Sequence, residues 1–219
     1  MLHGSPHPGV AGSELTRLLA RLADLPPAVT RPAFAERLGH WLGWSDAIAL
    51  SAALNATSAV TAPGRTRGQG GEEADFQRVR AALEASIATG LHEPASSPTD
   101  FGPHRRHCIA QQHAMHEAIG ALPQRLRNAL AKRSLALARL ASIDATMDHT
   151  LALRERSLLG LVPLRLQAHF ERMQRAADRD TDWPEALRND MERVLRAELA
   201  HRLLPAQGLL DTLLTHRPT

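Results

Sequence analysis

The residue types best suited to chemistry gather between positions 104 and 117. This stretch holds four histidines, the single cysteine and a glutamate: His104, His107, Cys108, His113, His116 and Glu117. Imidazole, thiolate and carboxylate groups are the usual zinc ligands, so the cluster is a candidate metal site. In one continuous helix, at about 100° per residue, the first three would share one face and the last three the opposite face. We therefore favour surface histidines beside one buried cysteine and expect no cofactor.

Three basic residues, Arg125, Lys132 and Arg139, recur every seven positions and predict a positive flank along one helix. Such a row could bind the phosphates of a nucleic acid or an acidic partner helix. The stretch offers no aromatic side chain on which bases could stack, which disfavours nucleic acid. Acidic residues between positions 178 and 192 could also pair with the row. The leading interpretation is a solvated flank, followed by contact with a protein partner.

Leucines follow a four-and-three spacing from Leu126 to Leu161, which predicts one long helix that packs along another helix. Asp144 and Arg154 occupy positions in this row where leucines are expected, and His149 lies close by. A polar residue in such a row can fix register or partner choice, while a carboxylate near a histidine could instead serve acid–base catalysis. Because nothing places a nucleophile or a substrate pocket nearby, we favour the structural role.

Trp41 and Trp44, with Phe34, form the one concentration of aromatic side chains in the sequence. Such side chains most often close a corner between packed helices. Where part of the corner is exposed, a tryptophan is a strong anchor for a protein partner. The two tryptophans therefore join Arg125, Lys132 and Arg139 as candidate interaction residues.

The composition predicts the fold class. About a third of the chain is Ala or Leu, whereas aromatic residues make up 3% and tyrosine is absent. Strands favour β-branched and aromatic residues, so we predict an all-α fold. We expect a disordered tail over 1–12, a small N-terminal helical unit over 13–91 with a flexible linker at 61–71, and an elongated antiparallel helical hairpin or bundle over 100–216 that contains the long coiled-coil-like helix. Predicted helices begin near Ser13, Thr30, Ser45, Glu72 and Asp182, and a last short helix carries Leu209 to Leu214.

The chain of 219 residues has a formal net charge of +3 and a single cysteine. A charge this small does not by itself indicate nucleic acid, and one cysteine excludes an intramolecular disulfide framework. The N-terminal stretch lacks the basic and apolar regions of a secretory signal, and the longest apolar stretch, residues 47–60, is too short and too polar to span a bilayer. We expect a soluble, cytoplasmic protein without membrane insertion.

Three stretches of the sequence carry a resemblance: FAERLGHWLGWSDAIALSAALN at 34–55, GPHRRHC at 102–108 and RERSLLGLVPLRLQAHFERM at 154–173. They resemble the bacterial domain-of-unknown-function family thirty-three forty-eight, and the resemblance covers most of the chain outside the linkers. Genes of that family tend to lie near genes for membrane proteins similar to motor stators and outer-membrane peptidoglycan binders. The resemblance implies a cytoplasmic accessory of an envelope complex, and it transfers no functional residue.

These patterns together predict a non-enzymatic helical protein that docks a protein partner or a second copy of itself, with no small-molecule substrate. Two alternatives stay open, namely metal binding at the cluster between positions 104 and 117 and nucleic-acid binding through arginines. Whether Trp41, Trp44 and the basic row lie together on one exposed surface helps to distinguish these alternatives.

Overall fold

A computed structural model of the chain describes residues 13–23, 43–55, 71–90, 100–177 and 182–216. Every regular element in these ranges is a helix, which confirms the predicted all-α class. The eight helices are α1 (Glu14–Leu22), α2 (Trp44–Asn55), α3 (Gly71–Gly90), α4 (Gly102–Gly120), α5 (Leu122–Ala131), α6 (Leu135–Leu159), α7 (Val162–Ala176) and α8 (Trp183–Thr215). The predicted tail, the predicted helix from Thr30 with Phe34 and Trp41, and nearly all of the linker at 61–71 lie outside the described residues.

Local capping chemistry explains where the first helices begin. The Ser13 hydroxyl accepts a hydrogen bond from the backbone N–H of Thr16 at 3.3 Å, as predicted for an N-cap of α1. At the start of α2, the Asp46 carboxylate accepts from the backbone N–H of Gly43 at 3.1 Å, which is half of a capping box. Helix α3 ends at Gly90, where the sequence predicts its end. Sequence pattern and local hydrogen bonding therefore agree in this part of the chain.

The prediction of one continuous helix from Leu126 to Leu161 is wrong. Helix α5 ends at Ala131, a short turn follows, and the Ser134 hydroxyl begins α6 by accepting from the backbone N–H of Leu137 at 3.2 Å. In a continuous helix the N–H of Leu137 would donate to a backbone carbonyl of the preceding turn. Here the Ser134 hydroxyl accepts this hydrogen bond, so a new helix starts although the leucine spacing continues. Helices α5 and α6 pack against each other, whereas α6 and α7 meet at the turn around Gly160 and do not pack along each other.

The last helix is longer than predicted. We expected a helix through Leu199 and a separate short one near Leu209, but α8 continues from Trp183 to Thr215 with Pro205 inside it. Proline removes one backbone donor, yet Pro205 faces solvent, where water can bond the released carbonyl. Leu203 and Ala206 on either side of it are buried and hold the helix in place. Asp182 occupies the N-cap position as predicted, although its side chain makes no capping hydrogen bond.

Helix α8 is the centre of the packing. Helices α1, α3, α4, α5 and α7 all pack against it, and its buried residues include Leu187, Met191, Leu195 and Leu210. Leu15 of α1 and Phe76 of α3 belong to the same buried cluster as the C-terminal helices. The predicted boundary between a unit at 13–91 and a bundle at 100–216 stays a prediction. Helices α2 and α6 do not belong to this set: α6 packs against α5, and α2 packs against α6.

Candidate interaction surface

Helix α2 presents an uncharged surface to solvent. Leu50 and Ala53 are half-buried towards the rest of the protein, while Trp44 is 86% exposed and Ile48 and Leu54 are about half exposed. Asp46 is the helix's single charged residue, and its carboxylate is bonded at the N-terminus. The exposed positions are therefore apolar, small or uncharged: Trp44, Ala47, Ile48, Ala49, Ser51, Ala52, Leu54 and Asn55. We call this set the α2 outer face.

The predicted basic row does not form one flank, because the helix that would have carried it is divided. Arg125 lies on α5 and bonds Asp75 of α3 at 3.1 Å, whereas Lys132 lies exposed in the turn after α5. Arg139 lies on α6, and its guanidinium donates to the backbone carbonyl oxygen of Leu54. This contact bonds one of the last carbonyls of α2 and places a positive charge at the negative end of its dipole. Arg139 thus positions the helix that exposes Trp44.

The histidine cluster divides as the helical geometry predicts. Cys108 is fully buried, His104 and His107 are half-buried, and His113 and His116 are exposed on α4. Among the described residues, no group of three His, Cys, Asp or Glu side chains is placed to hold a metal ion. Burial raises the pKa of the Cys108 thiol to about 12, and the charge of Glu198 acts in the same direction. The thiolate is the form that binds a metal, so this thiol would have to lose a tightly held proton on binding.

Sequence reasoning missed the buried polar network around Glu198. This side chain is fully buried on α8, and both carboxylate oxygens accept from Gln112 Nε2 of α4 at 3.0 Å. The Arg202 guanidinium donates to the same carboxylate at 2.7 Å, and Gln112 also donates to the carbonyl oxygen of Leu159 at the end of α6. The network satisfies a buried charge and joins three helices, which is a structural role.

A buried arginine with two more exposed carboxylates joins α5 to α6. The Arg127 guanidinium donates to Asp144 at 2.7 Å and to Asp148 at 2.8 Å. Burial by itself would lower the pKa of Arg127, but its hydrogen bonds to Asp148 and Asp144 outweigh that effect and raise it. Asp144, predicted as a polar interruption of the leucine row, therefore fixes the register of two antiparallel helices. This arrangement presents no reacting group to a ligand.

Aromatic side chains pack together where α4, α7 and α8 meet. Phe170 lies 5.3 Å from Phe101 and 5.5 Å from Trp183, measured between ring centroids, and His104 packs beside the two phenylalanines. Burial lowers the pKa of His104, and the neighbouring His107 and Arg188 add to the effect while Asp100 opposes it. Close packing and an uncharged histidine make this cluster part of the core rather than a ligand site.

The comparison with protein-family models identifies the chain. A model described as a protein of unknown function, DUF3348, matches residues 1–215, so the chain belongs to that family. No curated protein and no solved structure matches the chain. None of the described helices carries an apolar stretch long enough to cross a membrane.

Proposed function

We propose that this protein is a non-enzymatic helical interaction protein and that the α2 outer face docks a protein partner. The single observation that supports this function is the exposure of Trp44, together with Ile48 and Leu54, on a helix that has no outward charge. A tryptophan in an interface buries about 150–250 Å², and its truncation there commonly costs about 2 kcal/mol or more. An exposed tryptophan supplies none of this energy to the fold of its own chain.

The chemistry of the surface defines the class of partner. A charged partner group seated on the α2 outer face would lose its hydration without gaining an ion pair. An apolar face of a partner helix would instead bury leucines or aromatic residues against Trp44 and Ile48. We therefore infer a partner that contributes an uncharged helical face, from another protein or from a second copy of this chain. A setting beside an envelope complex, and a cytoplasmic location, remain predictions from the family resemblance.

The other two candidate functions have less support. Metal binding lacks a set of convergent ligands in the described ranges, and Cys108 holds its proton tightly. Nucleic-acid binding relied on a continuous basic row, but Arg125 is paired with Asp75 and Arg139 with α2. We propose neither.

Site-specific photocrosslinking in the native host tests the docking surface. A benzoylphenylalanine at Ala52 samples the α2 outer face, and the same group at the exposed Ala110 of α4 is the matched control. We expect one discrete adduct from position 52 and none from position 110. Ile48→Asp should abolish that adduct, since it places an unpaired charge in the contact while remaining tolerable on a half-exposed position.

The mass of the adduct distinguishes the two kinds of protein partner, because twice the chain mass means a second copy. Either mass supports the proposal if Ile48→Asp removes the adduct. Equal crosslinking from both positions, or an adduct that Ile48→Asp leaves unchanged, would overturn it.

A further inference from the structure

The corner between α6 and α7 exposes three leucines in a row. Leu158, Leu161 and Leu164 are each about half exposed. The three leucines follow one another at intervals of three residues. The backbone N–H of Leu161 donates to the carbonyl oxygen of Leu158 at 3.1 Å, and Leu161 is the N-cap residue of α7, so helical hydrogen bonding leads from one helix into the next. Residues three apart on helical backbone are neighbours on one surface. We call these three residues the corner leucines.

The corner leucines are not needed for the core beneath them. Leu159, Val162 and Leu166, on the inward side of the same corner, are buried. Helices α6 and α7 separate after the turn and do not pack along each other. The outward leucines therefore lie on the solvent side of the corner, while the inward residues supply the hydrophobic packing beneath them.

The stretch of sequence that forms the corner carries more positive than negative charge. Between Asp148 and Glu171 the sequence carries three arginines, Arg154, Arg156 and Arg165, and one acid, Glu155. Glu155 faces α8, where its Oε1 atom lies 3.8 Å from His201 Nε2. Arg156 and Arg165 are exposed, and Arg156 donates to a carbonyl oxygen of its own helix. Leucines flanked by arginines favour a surface that is apolar within and anionic at its boundary.

We propose that the corner leucines bind the surface of an anionic lipid bilayer. The leucines would reach the boundary between headgroups and acyl chains, and the arginines would contact lipid phosphates. A bilayer with anionic headgroups offers an apolar interior next to negative charge over its whole surface, which is the combination that exposed leucines beside exposed arginines complement. The proposed contact is peripheral, through side chains at one corner of the fold. This proposal is independent of the α2 outer face.

Vesicle flotation with the full-length protein tests the proposal. The probes are vesicles of phosphatidylcholine alone and of phosphatidylcholine mixed with phosphatidylglycerol. We expect binding to the mixed vesicles, weaker binding at high salt because the headgroup attraction is screened, and little binding to phosphatidylcholine alone. Leu161→Glu should lower the affinity by about tenfold or more, since it removes an exposed leucine that would enter the bilayer and adds a charge that the anionic headgroups repel.

Leu153→Glu is the matched control. Leu153 is 73% exposed, and it lies about 140° around α6 from Leu158, so the same substitution there changes the charge equally without touching the corner. We expect Leu153→Glu to retain vesicle affinity within about twofold, and circular dichroism to show unchanged helicity in both variants. No binding to the mixed vesicles, an equal loss for both variants, or retention by an acidic polypeptide in place of vesicles would overturn the proposal.

Discussion

At the scale of single residues, the reactivity of Cys108 tests whether its thiol is closed to solvent. Its thiol is fully buried, and the pKa of about 12 leaves about one molecule in ten thousand as thiolate at pH 8. We predict that a disulfide reagent such as Ellman's reagent reacts with the folded protein very slowly, and with one thiol per chain after unfolding in guanidinium. The measurement is the absorbance change with time.

An exposed cysteine on the same helix supplies the control for that experiment. Ala110→Cys, on the solvent side of α4, should react at the rate of a free thiol, so the second thiol reports reagent activity in the same sample. If Cys108 in the folded wild-type chain reacts as fast as that engineered thiol, then the site is open and its pKa is not raised.

The sequence predicted some residue environments well and others poorly. The burial of Cys108 and the exposure of His113 follow from helical geometry, because both depend on neighbours within two turns. The burial of Glu198 was not predictable, because its pairing with Arg202 four residues later looks identical to the pairing of Glu192 with Arg196 on the surface. The difference comes from Gln112, which lies 86 positions earlier in the chain.

At the scale of elements, the Glu198 network joins α8 to α4 and to the end of α6. Glu198→Ala would leave the Arg202 guanidinium without its carboxylate and would remove one of the two acceptors of the Gln112 amide, so the free energy of unfolding should fall by about 3–5 kcal/mol. Glu192→Ala removes an ion pair of the same spacing from the exposed side of α8, and it should cost about 0–1 kcal/mol. Urea unfolding midpoints measure both changes.

A double variant separates the loss of packing from the cost of leaving the Arg202 guanidinium without its carboxylate. Glu198→Met with Arg202→Met removes both charges and keeps the volume, so it should be more stable than Glu198→Ala. The account of the network is contradicted if Glu198→Ala is no more destabilising than Glu192→Ala.

The helix boundaries show what the leucine repeat could not predict. Leu130 and Leu137 are seven residues apart in the same four-and-three series, with Arg133 at the position between them, and that spacing suits one continuous helix as well as two packed helices. Ser134 decided between them by capping a new helix, and a lone serine carries too little information to predict this. In α8 the sequence predicted a break that the structure does not have. The helix continues through Pro205 because residues on both sides of the proline are buried.

At the scale of the whole molecule, the long helix α8 lies at the centre of the packing, and α2 lies at the periphery with one face exposed. Helix α8 packs against five others, whereas α2 packs on α6, with Arg139 bonded to its C-terminal end. Composition was sufficient to predict the all-α class. It could not predict which helix would be central, because that depends on contacts between residues far apart in sequence.

The most direct test of the docking surface compares one engineered thiol in two settings. Ile48→Cys places a thiol on the α2 outer face, and the inert Cys108 contributes little background. In the purified protein the new thiol should react with a maleimide as an exposed thiol does, whereas in intact cells of the native host its labelling should be slowed by about tenfold or more because the partner covers it. The Ala110→Cys variant corrects for permeability and should show no comparable slowing. Equal corrected rates in the two settings would contradict the account.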